Sequence, residues 1–335
     1  MKDTLKYTLM VAGMVLAWSV YYAVSKLVVG LTGSALLAGF LLRSAALIFL
    51  TAQLLLDRSF LRLFRPGKAL GILLLIGVMG FLLDLFANLG YARGSLSTGT
   101  ALLKTDVLMV NLATVLLCRK KLYLSDWIGT AVMLLGVLLV LGVDPRGMRF
   151  APTDLFFLLS AACVTVNAFL IKHAQEQYGE DADRISYYNN FVVLLLFGLS
   201  SGFSGQLRPG LLQFCAGHWW LIALGGLAQT GIYFFYYRNL RHFEVWLVKL
   251  YLLLMPVVSC LIGFFFLSER LTFGKLAGIG IVLAGAALIL LRSRLHREEP
   301  PSPEEREREP DEDLPYRNDP VPYETQIEKT GGIKK

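Results

Sequence analysis

Histidine and cysteine are scarce in this chain, and where they occur they form no chemical grouping. The four histidines, His173, His218, His242 and His296, are scattered near the edges of apolar runs. That arrangement supplies neither a nucleophile–base set nor a metal-ligand spacing. The four cysteines, Cys118, Cys163, Cys215 and Cys260, show no CxxC spacing and have mostly apolar neighbours, so packing accounts for them better than a disulfide framework or a metal site. No GxxxxGK(S/T) phosphate loop is present, which leaves an ATP-driven pump without support. There is also no basic patch interleaved with aromatics, so nucleic acid is not an expected partner. No catalytic residue, cofactor or metal is assigned, and a membrane-embedded enzyme is the weaker reading.

What the chain has instead is apolar sequence. Of its 335 residues 55% are hydrophobic, only 17% are charged, and the mean hydropathy is +0.57. Soluble domains are nearer ~45 to 50% apolar, and runs such as GILLLIGVMGFLL and GTAVMLLGVLLVLG exceed what one soluble core could bury. A span needs ~20 apolar residues to cross a ~30 Å hydrocarbon core. That requirement places spans near 7–28, 34–56, 69–90, 98–117, 125–143, 153–172, 187–206, 218–237, 246–267 and 273–292. The first run is longer than the ~7 to 15 residues of a signal-peptide core, so it is read as the first span.

Ten spans put both termini on one side. Sixteen Lys and Arg then fall on the terminal side of the membrane and seven on the other, so the positive-inside rule makes the termini cytoplasmic in a cell-membrane protein. Residues 1–295 hold 25 Lys+Arg against 13 Asp+Glu, whereas 296–335 hold 7 against 12. The basic part therefore reads as membrane topology. The acidic part, rich in Pro, Glu and Arg, cannot bury enough apolar surface to fold alone and is expected to be a disordered cytoplasmic tail, free for a cytoplasmic partner.

An internal repeat is visible. GTAVMLLGVLLV from Gly129 resembles GIGIVLAGAALI from Gly278, with Gly136 matching Gly285, and AWSVYYAVSKL with Lys26 resembles CVTVNAFLIKH with Lys172 at nearly the same displacement. Two repeats of five helices are expected, one over residues 1–146 and one over 150–295. Because five is odd, the second copy enters the membrane from the opposite side. An inverted pair of this kind, with a site at the repeat interface, is the architecture of secondary transporters.

The stretch VKLYLLLMPVVSCLIGFFFLSERLTFGKLAGIGIVLAGAALIL, with Pro256, Glu269, Arg270, Gly278 and Gly285, resembles the last two helices of the EamA-type branch of the drug/metabolite transporter superfamily. APTDLFFLLSAACVTVNAFLIKH is similar to that family's sixth helix. The resemblance covers roughly residues 7 to 292. It implies an all-α membrane protein of ten helices in two inverted repeats, moving a small metabolite such as an amino acid or related zwitterion, often outward, by alternating access. In the first half Val107 stands where Pro256 does in the second, and Arg119, Lys120 and Lys121 replace the acidic-basic pair.

Ionisable residues at membrane depth need a partner or a water-filled cavity. Five are placed there: Arg43, Asp84, Lys104, Asp106 and Lys249, with a formal sum of +1 if all are charged, which suits a carboxylate-bearing or zwitterionic substrate. Asp84 and Asn88 share a helical face, while helix glue is the alternative for both. Thr100, Lys104 and Asn111 form a stripe, from which Asp106 lies about 200° from Lys104 on a straight helix. Lys104 is placed in the cavity, and Arg43 is expected to pair with Asp84 or Asp106. Lys249 either lines the path or snorkels to the interface. Trp18, Tyr22 and Tyr233, with Asn167 and Gln229, complete the candidate substrate-binding set. Pro256 is expected to kink the ninth span for gating, and Glu269 and Arg270 to form a structural ion pair. The expected partners are a small-molecule substrate and the bilayer, with a homodimer left open. The rival transport reading is a translocator of lipid or lipid-linked sugar.

Overall fold

The computed structural model describes residues 2–56, 63, 68–93, 102–116, 124–140, 154–206, 211–255, 257–258, 273–274 and 276–285. In chain order its helices are α1 (Lys2–Thr32), α2 (Ala35–Leu56), α3 (Leu70–Arg93), α4 (Asp106–Leu116) and α5 (Leu124–Val140). The second series is α6 (Asp154–Gln177), α7 (Ala182–Phe203), α8 (Leu211–His242), α9 (Val245–Tyr251) and α10 (Leu276–Gly285). Helices are what a bilayer requires, because each satisfies its own backbone hydrogen bonds. Segments Tyr7–Thr32, Ala35–Leu56, Leu70–Ala92 and Asp154–Gln177 are long and apolar enough to span on composition alone.

Local chemistry ends these helices where the sequence permits it. Gly33, at φ +65°, closes α1, a conformation that costs glycine nothing. Ser34 then caps α2 by accepting the Leu37 N–H at Oγ, 3.1 Å away, which satisfies one of the orphan donors of a first turn. Gly205, at φ +63°, ends the α7 region in the same way, and the Gln206 N–H reaches back five residues to the Ser201 carbonyl at 2.9 Å, the bond of a Schellman terminus. Outward faces remain apolar. Leu9, Leu16, Leu27 and Leu31 on α1, and Trp220, Leu224, Leu227 and Phe234 on α8, are exposed at helical spacing, as a lipid-facing surface would be.

The packing of the two halves has a two-fold pattern. α3 packs on α6 as α8 packs on α1, and α3 packs on α7 as α8 packs on α2, while α2–α7 and α4–α9 pair across the axis. The glycines give the symmetry residue by residue. A Cβ on Gly136 would lie 2.7 Å from a Val282 methyl, 2.8 Å from the Val282 nitrogen and 2.9 Å from the Gly278 oxygen. One on Gly285 would meet Met133 at 2.6 Å and the Gly129 oxygen at 3.2 Å. Gly136 and Gly285, Met133 and Val282, and Gly129 and Gly278 are equivalent positions of the sequence repeat, so α5 and α10 touch each other through the same small-residue seam. The chain is an all-α membrane protein built as two inverted five-helix repeats.

Several boundaries differ from the hydropathy reading, for local reasons. In the fourth span, expected from 98, residues 98–101 lie outside the described residues, and the helical pair Leu102–Leu103 is separated by a turn from α4, which starts at Asp106. Lys104 and Thr105 form a turn in which the Thr105 N–H bonds Leu102 O and the Val107 N–H bonds Lys104 O, three residues back rather than four. This tightening breaks the straight-helix geometry that set Lys104 and Asp106 on different faces. α7 starts at Ala182 rather than 187, because Arg184 pairs with Glu180 one turn earlier and lets charged residues open the helix. α8 starts at Leu211 rather than 218 and carries a non-helical residue at His218 (φ −123°, ψ 21°). α9 is short and tightens into a 3₁₀ turn over Leu252–Leu254. Pro256, Glu269, Arg270, Thr100 and the tail 296–335 lie outside the described residues.

Candidate functional site

Where α2, α3, α7 and α8 cross, four residues, two from each repeat, meet in one buried cluster. Arg43 of α2 donates to Asp84 of α3 from Nε at 2.9 Å and Nη2 at 2.5 Å, and from Nη1 to the hydroxyl of Tyr233 on α8 and to Oδ1 of Asn190 on α7 at 3.5 Å. Tyr233 donates in turn to Asn190 Oδ1 at 3.4 Å, and Asn190 Nδ2 bonds the Arg43 carbonyl at 3.0 Å. Tyr21 of α1 donates to Asp84 Oδ2 at 3.2 Å. The Arg43 guanidinium lies 5.9 Å from the Tyr21 ring centre and 5.6 Å from that of Tyr233, within cation–π range. Each charge is thereby compensated at a depth where an isolated one is expensive.

This cluster forms one wall of a cavity of about 30 Å³. Trp18, Arg43, Gly80, Leu83 and Asp84 line it from the first repeat, and Val164, Asn167, Asn189, Gln229, Ile232, Tyr233, Tyr236 and Tyr237 from the second. The volume holds about two waters. Three polar atoms of this lining have no partner among the described residues although buried: Trp18 Nε1, Asn167 Oδ1 and Asn189 Oδ1; the Tyr236 hydroxyl is within hydrogen-bonding reach of Lys249. Buried polar groups are nearly always satisfied, so three orphans in one small space mark a place meant to receive something polar. They comprise one hydrogen donor and two amide acceptors. Gly80 makes room for one of them, since a Cβ there would lie 2.5 Å from Asn189 Oδ1.

A second charged cluster lies at the α4–α9 contact. Lys249, only 1% exposed, donates to Asp106 Oδ2 at 3.1 Å and sits 5.4 Å from the Tyr236 ring centre. It is therefore buried and paired, not snorkelling. Lys104 donates to Met255 Sδ at 3.1 Å and is within electrostatic reach of both Asp106 and Lys249. Two lysines thus face one carboxylate, and the surplus cation belongs to this cluster. Trp18, Tyr22 and Tyr236 stand between the two charged groups, with ring centres 5.3 Å apart for Trp18–Tyr22 and 6.0 Å for Trp18–Tyr236.

The structure distributes the sequence-predicted residues over three places. Trp18, Arg43, Asp84, Asn167, Gln229 and Tyr233 line the cavity. Lys104, Asp106 and Lys249 form the second cluster, with Tyr22 beside it, so Lys104 is not in the cavity wall. Asn88 and Asn111 are tied elsewhere: Asn88 accepts from Ser25 at 3.1 Å and donates to the Ala35 carbonyl at 3.3 Å, and Asn111 donates to Thr130 at 3.3 Å. Arg43 has chosen Asp84, and Asp106 has taken Lys249. Sequence reasoning missed Gly80, Asn189 and Asn190, and it sets Tyr236 and Tyr237 aside as residues of the interfacial aromatic belt. The signal available was the adjacent pair Asn189–Asn190 at the start of an apolar run; with α7 beginning at Ala182 both lie two turns inside.

Two inverted helical repeats around a buried polar cavity define a multi-pass membrane transporter. The EamA-like transporter family matches residues 5–142 and 151–291, one match per repeat, and the chain belongs to that family. No curated protein matches the chain. A solved structure described as "Crystal structure of protein" aligns over 88% of this chain and 99% of its own, with a TM-score of 0.68 at 17% identity, a likeness of fold.

Proposed function

We propose that the protein exports a small zwitterionic metabolite of the amino-acid type by alternating access, with the cavity at the repeat crossing as its substrate site. The observation that carries this reading is the convergence there of an Arg43–Asp84 pair and three polar atoms without a partner among the described residues. A zwitterion brings one carboxylate and one ammonium, which can exchange with the guanidinium and carboxylate already facing each other, so no net charge has to be buried. In such a carrier the substrate enters when one end opens to water. On the side where α7 begins and α8 ends, Arg238 pairs with Asp183 at 3.1 Å and Lys172 bonds the Leu240 carbonyl at 2.8 Å; on the side of the α1–α2 turn Ser34 bonds Gln206. Contacts of this kind can be exchanged for water at little cost, which a rocking carrier requires. The positive-inside bias supports cytoplasmic termini and a cell-membrane location.

The test is counterflow in proteoliposomes preloaded with unlabelled amino acids, polyamines, nucleosides or sugar phosphates. Saturable exchange of an amino acid, abolished by Arg43→Met, supports the reading. Exchange confined to another class, or silence across the panel from monodisperse protein, refutes it.

A further inference from the structure

Outside the cavity, a groove of about 1060 Å³ lies where α1 and α7 begin and α8 ends, lined by Leu9, Met10, Phe234 and Phe235 and closed by Asp181, Asp183, Arg238, Arg241 and His242. We propose that this groove binds a phospholipid with a primary-amine zwitterionic headgroup, of the phosphatidylethanolamine class. The groove continues the lipid-facing stripes of both helices that wall it: Leu9 ends the exposed series Leu31, Leu27, Leu16 on α1, and Phe234 follows Leu227 and Leu224 on α8. An acyl chain lying along these stripes leads to the charged residues at headgroup depth. There, apolar surface and charge meet in the order a lipid presents them.

The charges select the headgroup. They form two pairs, Arg238–Asp183 at 3.1 Å and Arg241–Asp181 at 3.3 Å, and the outer pair is well exposed, at 52% and 71%. Two guanidinium and two carboxylate groups sum to zero, which gives no preference for an anionic lipid but matches a phosphate and an ammonium carried on one molecule. Exposed pairs are worth little on their own, so the arginines can turn to the phosphate and the aspartates to the amine. Arg238 stays anchored meanwhile, with its guanidinium 3.9 Å from the Phe234 ring centre. A primary ammonium can donate hydrogen bonds to Asp181 and Asp183, whereas the trimethylated amine of phosphatidylcholine cannot.

The experiment is native mass spectrometry of the full chain in detergent, titrated with dioleoyl-phosphatidylethanolamine, -phosphatidylcholine or -phosphatidylglycerol. The expected result is one retained phosphatidylethanolamine with about tenfold higher affinity than either competitor, the effect of about one charge-assisted hydrogen bond. The Asp181→Asn/Asp183→Asn double variant is expected to lose that preference. Equal binding of the amine and choline lipids by wild type, strongest binding of the glycerol lipid, or a preference unchanged in the double variant overturns the proposal.

Discussion

Replacing Asp84 by asparagine removes the only carboxylate hydrogen-bonded to Arg43 among the described residues, and the size of the damage follows from what remains. The pair is buried on both sides, 4% and 7% exposed, with N–O distances of 2.5 and 2.9 Å. Breaking one partner of such a pair leaves an uncompensated buried charge, a loss of about 3 to 5 kcal/mol. Arg43 keeps its bonds to Tyr233 and Asn190, so the low end, about 3 kcal/mol, is expected. At about 2 °C per kcal/mol for a chain of this size, the melting temperature in detergent falls by about 6 °C. The double variant Arg43→Met/Asp84→Leu removes both charges in favour of apolar groups of similar volume, which is nearly neutral or stabilising in buried pairs. It is expected to recover the wild-type melting temperature while losing transport. Thermal unfolding followed by size exclusion measures both steps. A double variant no more stable than Asp84→Asn refutes the argument, because the loss would then come from packing and not from charge.

The second cluster predicts an order of stabilities in the same assay. Asp106→Asn leaves Lys249 and Lys104 without a carboxylate and is expected to lose about 3 to 5 kcal/mol; Lys249→Met leaves Asp106 facing Lys104 and loses less, and Lys104→Met stays within about 1 kcal/mol of wild type. At the α5–α10 seam Gly136→Ala forces a Cβ against backbone atoms at 2.8 and 2.9 Å and is expected to destabilise by about 1 to 3 kcal/mol. Gly30→Ala, with open space around its Cβ, leaves the melting temperature unchanged or slightly raised. Trp18→Phe and Asn167→Ala each remove one of the unpartnered cavity atoms and are expected to lower the initial rate of counterflow several-fold with full folded yield; wild-type rates in both would take these groups out of the substrate's path.

The fold was legible because the bilayer restricts the choices: long apolar runs with few charges can only be helices. The repeat was legible because Gly129, Gly136, Gly278 and Gly285 mark a close helix contact, and the structure seats those glycines in a reciprocal seam. The ionisable residues at depth were legible for the same energetic reason. Their grouping was not. Whether Arg43 meets Asp84 or Asp106 depends on which helices cross, and the turn at Lys104–Thr105 redirects two side chains that straight-helix periodicity had separated. Asn88 and Asn111 show the converse: a polar residue on an apolar helix is as readily spent on holding helices together as on a cavity, and the sequence does not distinguish the two uses. Asn189 and Asn190 stand next to the boundary that hydropathy sets at 187, and only the earlier start of α7 at Ala182 puts them two turns inside the helix.

Alternating access requires the cavity at the repeat crossing to open to each side of the membrane in turn. The most direct measurement places a single cysteine at Asn167, with the native cysteines replaced by serine, and follows its reaction with a membrane-impermeant maleimide in right-side-out and inside-out vesicles. Labelling from both sides, and protection from both by a transported substrate, is the expected result. Labelling from one side only, at a rate indifferent to substrate, would contradict it.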